Sequence, residues 1–282
     1  MKIFLTGGTG FIGSHFLSQC MDAGHTVIAQ RRPGSVPRLN LVQQPTWIDR
    51  PLDHDFTPEL VDSDVVVHLA AHTPNPPYAS LPECMYWNVF VSTKFLMQAA
   101  NAGVRNVIAA GSCFEYGLAA EGQYRVHPAS DLRPVLAYPI SKASASIAYM
   151  GMVRQLGLNG RLLRIFQTYG EGEAAARFWP SLCAAAKAGR DFDMSDGSQI
   201  RDFISVEEVA KQFVNALDFT GAKPGTTLIR NIGTGEGQTL LAFANYWWKE
   251  LDAKGELRAG RVERRAGEIK RLVANIQDIH FS

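Results

Sequence analysis

"IFLTGGTGFIG", residues 3–13, joins a short apolar run to a glycine turn and then to a helical-period stretch. Gly7, Gly10 and Gly13 stand three apart, and Gly8, Gly10 and Gly13 satisfy the pattern of a dinucleotide-binding turn. Glycine permits the tight turn and lets backbone amides approach a pyrophosphate. The N-terminus of the following helix adds its own amides and its dipole. A glycine-rich turn alone is a weak signal. Here a strand-like run precedes it and a helical run follows, so Gly7, Gly10, Phe11, Ile12 and Gly13 are expected to hold a dinucleotide cofactor.

Outward from this turn the same alternation continues. "KIFLT" (2–6), "HTVIAQ" (25–30), "DVVVHLAA" (64–71), "NVIAAGS" (106–112) and "GRLLRIF" (160–166) are short, apolar and rich in β-branched residues. Helical-period stretches at 11–23, 88–102 and 139–156 lie between them. Strands buried on both faces and separated by helices predict an α/β fold with a Rossmann-type, doubly wound parallel sheet. Such sheets bind ligands at the carboxyl ends of their strands. After about residue 167 the pattern loosens into a loop and helix at 170–189 and amphipathic helices at 205–219 and 239–251. The cofactor domain is therefore assigned to 1–166 plus roughly 205–221. Residues 167–204 and 222–282 are assigned mostly to a smaller C-terminal substrate lobe.

Composition narrows the partners. With 28 basic and 27 acidic residues the formal net charge is +1, so no global field favours nucleic acid or an anionic membrane. No apolar run approaches the roughly 20 residues that span a bilayer. Cys20, Cys84, Cys113 and Cys183 are not spaced as metal ligands and sit in apolar surroundings, as reduced thiols do. A cytoplasmic enzyme without a metal is the expectation.

The second strand runs into "QRRPG" (30–34), where an acid would hold a ribose hydroxyl of NAD. Arg31 and Arg32 stand there instead. Arginine pairs with a 2′-phosphate and stacks on adenine, which favours NADP(H), with NAD(H) still possible. Arg31 is expected to hold the phosphate and Arg32 to stack, roles that can be exchanged. The bland alternative for both is a solvated surface charge.

"YPISK" (138–142) puts Tyr138 and Lys142 four apart, on one face if helical. An ammonium beside a phenol stabilises the phenolate and fits it for proton transfer. Ser112 in "GSCFEYG" (111–117) ends an apolar strand and can hydrogen-bond a substrate oxygen.

At this point the chain resembles the extended short-chain dehydrogenase/reductase family, and within it the NAD(P)-dependent sugar epimerase/dehydratase group. "TGGTGFIGSH" (6–15), "VVVHLAA" (65–71), "GSCFEYG", "YPISK", "LRIFQTYG" (163–170), "GSQIRDFISVEEVA" (197–210) and "NIGTG" (231–235) match its motifs in order. The resemblance implies a catalytic triad of Ser112, Tyr138 and Lys142, with Tyr138 as general acid/base. Leu69, Ala70 and Ala71 would pass the adenosine side of the cofactor. The implied substrate is a nucleotide-diphosphate sugar, with Gln167, Arg177, Arg201 and Arg265 as its contacts. Sugar 4,6-dehydratases carry Thr-Asp-Glu where this chain has Ser112, Cys113 and Phe114, so dehydration is not expected. A cysteine acid/base known in related enzymes sits one position later, so Cys113 is taken as a packed thiol. His72, His127 and Glu115 are given no catalytic role.

The expected reaction is NADPH-dependent reduction of a nucleotide-linked 4-keto-6-deoxyhexose, serving deoxysugar synthesis. The alternative is a 4-epimerase that retains its cofactor, which would use the same residues. A non-enzymatic, cofactor-sensing regulator is a third option, and the same chemistry on a hydrophobic ketone a fourth, against which Arg201 argues. Small and apolar residues over much of the helix at 143–157 suggest a helix-to-helix partner; the resemblance implies a homodimer there, and a helix buried within the chain is the alternative.

Overall fold

The computed structural model describes residues 1–264 and 267–282. The chain begins with strand β1 (Lys2–Thr6), helix α1 (Phe11–Asp22) and β2 (Thr26–Arg31), followed by β3 (Thr46–Asp49) and β4 (Val65–His68). Strands β5 (Asn106–Ser112) and β6 (Asn159–Ile165) follow. Together with Thr226–Ile232 and Ile279–Phe281 they form one eight-stranded sheet. From one edge the order is 279–281, 226–232, β6, β5, β4, β1, β2, β3. Every pairing is parallel except that between the strands 226–232 and 279–281. Sequence order runs one way from β1 and the other way from β4, so the carboxyl ends of these neighbours part to leave a cleft.

Alternation explains why β1 reads as a continuous apolar run. Ile3 and Leu5 pack into a layer with Phe16, Leu17 and Phe213. Phe4 faces the other way, toward Phe56, Phe95 and Tyr149. All three β1 side chains are fully buried. Each contributes on the order of 1.5–3 kcal/mol by leaving water. Helix Val206–Asn215 covers the first layer beside α1. It starts at Ser205, whose hydroxyl accepts the Glu208 amide, and carries Glu207 and Glu208 in its first turn. Helix Ala137–Leu156 covers the second layer and tolerates Pro139, whose missing amide proton would have no partner in a first turn.

Three strands of the sheet were not expected: β3, 226–232 and 279–281. The last two come from the range assigned mostly to the substrate lobe. Thr226–Ile232 alternates half-buried and buried residues, a weaker signal than the solid apolar runs nearer the centre. The stretch 88–102 is helical, but its first residues belong to a π-helical turn, Tyr86–Val91, that leads into helix Ser92–Asn101. Among the described residues no helix is long and apolar enough to cross a membrane, and no cluster of side chains is suited to a metal ion. The four cysteines are free and buried.

The smaller structure beyond the sheet hangs on Asp202. Its carboxylate, fully buried, accepts the amide of Thr234 at 2.8 Å and its hydroxyl at 2.6 Å. The other oxygen accepts the amides of Gly235 at 2.9 Å and Ala274 at 3.1 Å. A Cβ on Gly233 would meet this carboxylate at 2.6 Å, so glycine is needed for the approach. Asp202→Ala strands four donors, and urea unfolding should show a loss of about 3 kcal/mol or more at unchanged m-value. A midpoint within error of the parent would show that the turn holds without this carboxylate.

Candidate active site

The site begins where β1 ends. Gly7 takes a φ of 77° and lies so close to the next strand that a Cβ would stand 2.6 Å from the Ala70 nitrogen. Leu69, Ala70 and Ala71 follow the end of β4 at His68, and the Leu69 amide still donates to the Thr6 carbonyl at 3.2 Å. The Gly10 amide donates to the Gly7 carbonyl at 2.9 Å, and a Cβ on Gly13 would fall 2.1 Å from the same oxygen. Helix α1 is N-capped by Gly10 with no side-chain hydrogen bond. The amides of its first turn are thus left for an anion. This donor set fits a dinucleotide pyrophosphate.

The two arginines after the loop part company. Arg31 is the last residue of β2 and stands in register with Asp49 of β3. Its Nε donates to one Asp49 oxygen at 2.7 Å and its Nη2 to the other at 3.2 Å. Its guanidinium lies 4.7 Å from the centre of the Trp47 ring. The pair holds the Asp49 carboxyl below the usual carboxylate range, chiefly through the hydrogen bond. Arg32 lines the cleft beside Gly10, Phe11 and Ile12, and so does Arg38, which the sequence did not single out. The geometry therefore ties Arg31 to the neighbouring strand and presents Arg32 and Arg38 to the cofactor end.

Ser112, Tyr138 and Gln167 line the other part of the same cleft. Ser112 ends β5 and its hydroxyl accepts the Phe114 amide at 3.3 Å. Tyr138 lies near the start of helix Ala137–Leu156, stacked against Tyr78 at 5.6 Å. Lys142, one turn on, donates to the Ala110 carbonyl at 2.7 Å. Burial pushes the Tyr138 phenol above its ordinary value, and the Glu115 carboxylate adds to this. Burial lowers the Lys142 ammonium, which Glu115 opposes. A lysine-lowered phenol was expected. The direction is the opposite because burial outweighs every other influence on Tyr138. His68 bridges Thr6 and Ser92, and burial followed by the Lys142 charge pushes it down to about 3, so it stays neutral. Burial pushes the Cys113 thiol up to about 12, which leaves no thiolate for base catalysis near neutrality.

The substrate-side residues are divided. Arg177 lines the cleft and donates to Glu173 at 3.2 Å. Glu173 lines it too, and burial pushes its carboxyl up to about 7 (the paired Arg177 works against the rise). Arg201 is buried against Glu268, at 3.1 Å, and is not among the residues lining this cleft. Arg265 lies outside the described residues. Glu173 and Arg38 sit in irregular loops where no periodicity marks them. Glu115 is visible in "GSCFEYG", but nothing in the motif says what it touches.

Known proteins match this architecture. Residues 3–233 fit the model of the NAD dependent epimerase/dehydratase family. UDP-glucose 4-epimerase of Rhizobium meliloti (strain 1021) is 26% identical, over 97% of this chain and 88% of its own length. UDP-glucuronic acid decarboxylase 1 of Danio rerio is also 26% identical, but the chain spans only 59% of it. Among solved structures, UDP-N-acetylglucosamine 4-epimerase from Methanobrevibacter ruminantium M1, in complex with UDP-N-acetylmuramic acid, superposes with a TM-score of 0.84. It shares 25% identity over 98% of this chain and 89% of its own. MoeE5 in complex with UDP-glucose and NAD gives 0.81 at 25% identity, over 98% of this chain and 90% of its own. A glycine turn at the switch point, a buried tyrosine and lysine one turn apart, and the match over 3–233 make this chain an enzyme of the NAD dependent epimerase/dehydratase family, of the extended short-chain dehydrogenase/reductase type.

Proposed function

We propose that the chain is a nucleotide-sugar 4-epimerase that retains its cofactor. The observation that carries this is one cleft lined by the glycine loop, Ser112, Tyr138 and Gln167, with Cys113 and Phe114 where an elimination would need carboxyls. The nicotinamide would supply hydride acceptance and return at C4 of the sugar. Tyr138 takes the proton of the C4 hydroxyl and later gives it back. Ser112 hydrogen-bonds that oxygen, and Lys142 stands one turn behind the phenol as the nearby cation. Gln167 and Arg177 line the substrate side, where a guanidinium suits a diphosphate. Arg201 keeps a secondary role toward the diphosphate, which it could take up only by leaving Glu268.

Reduction of a 4-keto-6-deoxyhexose, the first expectation from the sequence, becomes the second reading. The relatives and structures similar to the chain include 4-epimerases, and another similar structure, MoeE5, is in complex with UDP-glucose and NAD. What favours the reductase is Arg32 and Arg38 at the cofactor end, a pair suited to NADP(H). A non-enzymatic sensor is disfavoured by membership of an enzyme family with Tyr138 and Lys142 both in place. Four free buried thiols suit the cytoplasm.

A second copy of the chain is proposed as the partner of helix Ala137–Leu156. Ile147 on this helix is 59% exposed and Phe90, in the adjoining turn, 61%, with Tyr86 exposed in the same turn and Met97 exposed on the helix Ser92–Asn101 that follows it. Ile147→Glu with Phe90→Glu should turn a dimer into a monomer in light scattering. A parent already monomeric at micromolar concentration would remove this interface.

Turnover decides between the readings. Incubation with UDP-galactose or UDP-N-acetylgalactosamine should give the C4 epimer with no net change at the nicotinamide absorbance band. Tyr138→Phe should lower kcat by about 10²–10⁴-fold. Stoichiometric NADPH consumption with dTDP-4-keto-6-deoxyglucose, without epimerisation, would establish the reductase instead.

Cofactor choice is tested separately. Arg32→Ala with Arg38→Ala should weaken NADP(H) relative to NAD(H) by about 10–100-fold, the loss of one or two charge-assisted hydrogen bonds. Arg31→Ala should leave that ratio nearly unchanged. The reverse pattern in a binding titration would return the phosphate to Arg31.

A further inference from the structure

Glu115 is fully buried, and both its oxygens are engaged. One oxygen accepts the backbone amide of Ser112 at 2.7 Å. The other accepts Arg164 Nε at 2.9 Å and the Ser146 hydroxyl at 2.8 Å. Ser146 follows Lys142 by one turn and Tyr138 by two, on the same helix face. A single carboxylate therefore joins the strand end that carries Ser112 to the helix that carries Tyr138 and Lys142. Arg164 extends the join. Its Nη1 donates to the Pro128 carbonyl at 2.9 Å and the Tyr116 hydroxyl at 3.1 Å, and Tyr116 donates to Asn231 at 2.6 Å. Gly111 leaves the space: a Cβ there would stand 2.7 Å from Arg164 Cγ and 3.0 Å from the Glu115 carboxylate.

A buried ion pair is a poor way to gain stability, since apolar residues of similar volume often serve as well or better. Its placement here suits another task. We propose that Glu115 is a positioning residue for the proton transfer: it fixes Ser112 against the helix that carries Tyr138 and Lys142. This rests on Tyr138 being the acid/base.

Tyr138 stacks on Tyr78 from the loop after β4, has Lys142 one turn on along its own helix, and feels Glu115 and Cys113 from the turn after β5 and Cys84 from the helix Leu81–Met85. Lys142 faces Glu115 and His68. Glu115 raises the titration of both Tyr138 and Lys142. Neutralising it lets the phenolate form at lower pH. In the direction that needs phenolate, the rising limb of the rate profile should then move toward acid.

The test uses the full-length enzyme with UDP-galactose, or with dTDP-4-keto-6-deoxyglucose and NADPH if only that pair turns over. Glu115→Gln keeps an acceptor for Ser112 but removes the charge. Glu115→Gln with Arg164→Met removes the charge without stranding a buried guanidinium, and so guards against misfolding. Ser146→Ala drops one hydrogen bond and keeps the charge. For both Glu115 variants kcat should fall about 10–100-fold, as displaced catalytic groups do, with KM within about threefold. Their pH limb should shift to the acid side, while Ser146→Ala keeps the parent limb with a smaller loss of kcat. If the double variant folds with the parent's kcat and pH limb, Glu115 is only structural and the proposal falls. A loss of melting temperature with an unmoved limb has the same meaning. Full activity in Tyr138→Phe would instead overturn the acid/base reading, and this proposal with it.

Discussion

The approach of Gly13 to the Gly7 carbonyl sets the geometry from which the site is built. A methyl group at Gly13 would overlap that oxygen at 2.1 Å, and one at Gly7 would strike the backbone of Ala70. These contacts bring the N-terminus of α1 to the gap between β1 and β4, where the strand order reverses. Amides that would otherwise need a cap there become an anion site. The glycines are thus packing requirements first, and the cofactor loop follows from the packing.

The reacting side of the cleft rests on a different kind of constraint, buried charge. Glu115, Arg164 and Lys142 are all nearly inaccessible, and each has polar partners. Burial alone drives the Tyr138 phenol up and the Lys142 ammonium down, the direction that favours neutral forms of both. A carboxylate at this depth pulls the lysine back toward its charged form. It also makes the phenol a weaker acid, so Tyr138 holds its proton more firmly and phenolate is harder to form.

How much of this was legible in the sequence depended on whether the signal was local. The glycine turn, the buried strands β1, β2, β4, β5 and β6, and the helix bearing Tyr138 and Lys142 carry their periodicity within a few residues. Strand β3 does not, because its four residues are only half-buried or exposed at the sheet edge. Missing β3 hid Asp49, and without Asp49 nothing marked Arg31 as already paired. Arg31 is still in the strand, whereas Arg32 has just left it, and that one-residue step decides which guanidinium reaches the cleft. Glu115 was visible but uninterpretable. Its partners Ser146 and Arg164 lie 31 and 49 residues away, Arg164 brought in by the parallel pairing of β5 with β6 and Ser146 by the helix Ala137–Leu156 that packs over the sheet.

The segment after β6 ties a further loop to helix α1 at the glycine-turn end of the cleft. Gly172, with a φ of 84°, lies where a Cβ would stand 2.9 Å from Arg38 Cβ. The Glu171 carbonyl lies 2.9 Å from His15 Nε2 on α1. The Arg38 amide in turn donates to Ser14 at 2.8 Å, in the first turn of the same helix. Loop 170–174 and the residues around Arg38 are thereby held together on α1 at the cofactor end of the cleft. Arg38, which with Arg32 lines the cleft, is therefore placed by the same helix that begins at the glycine turn.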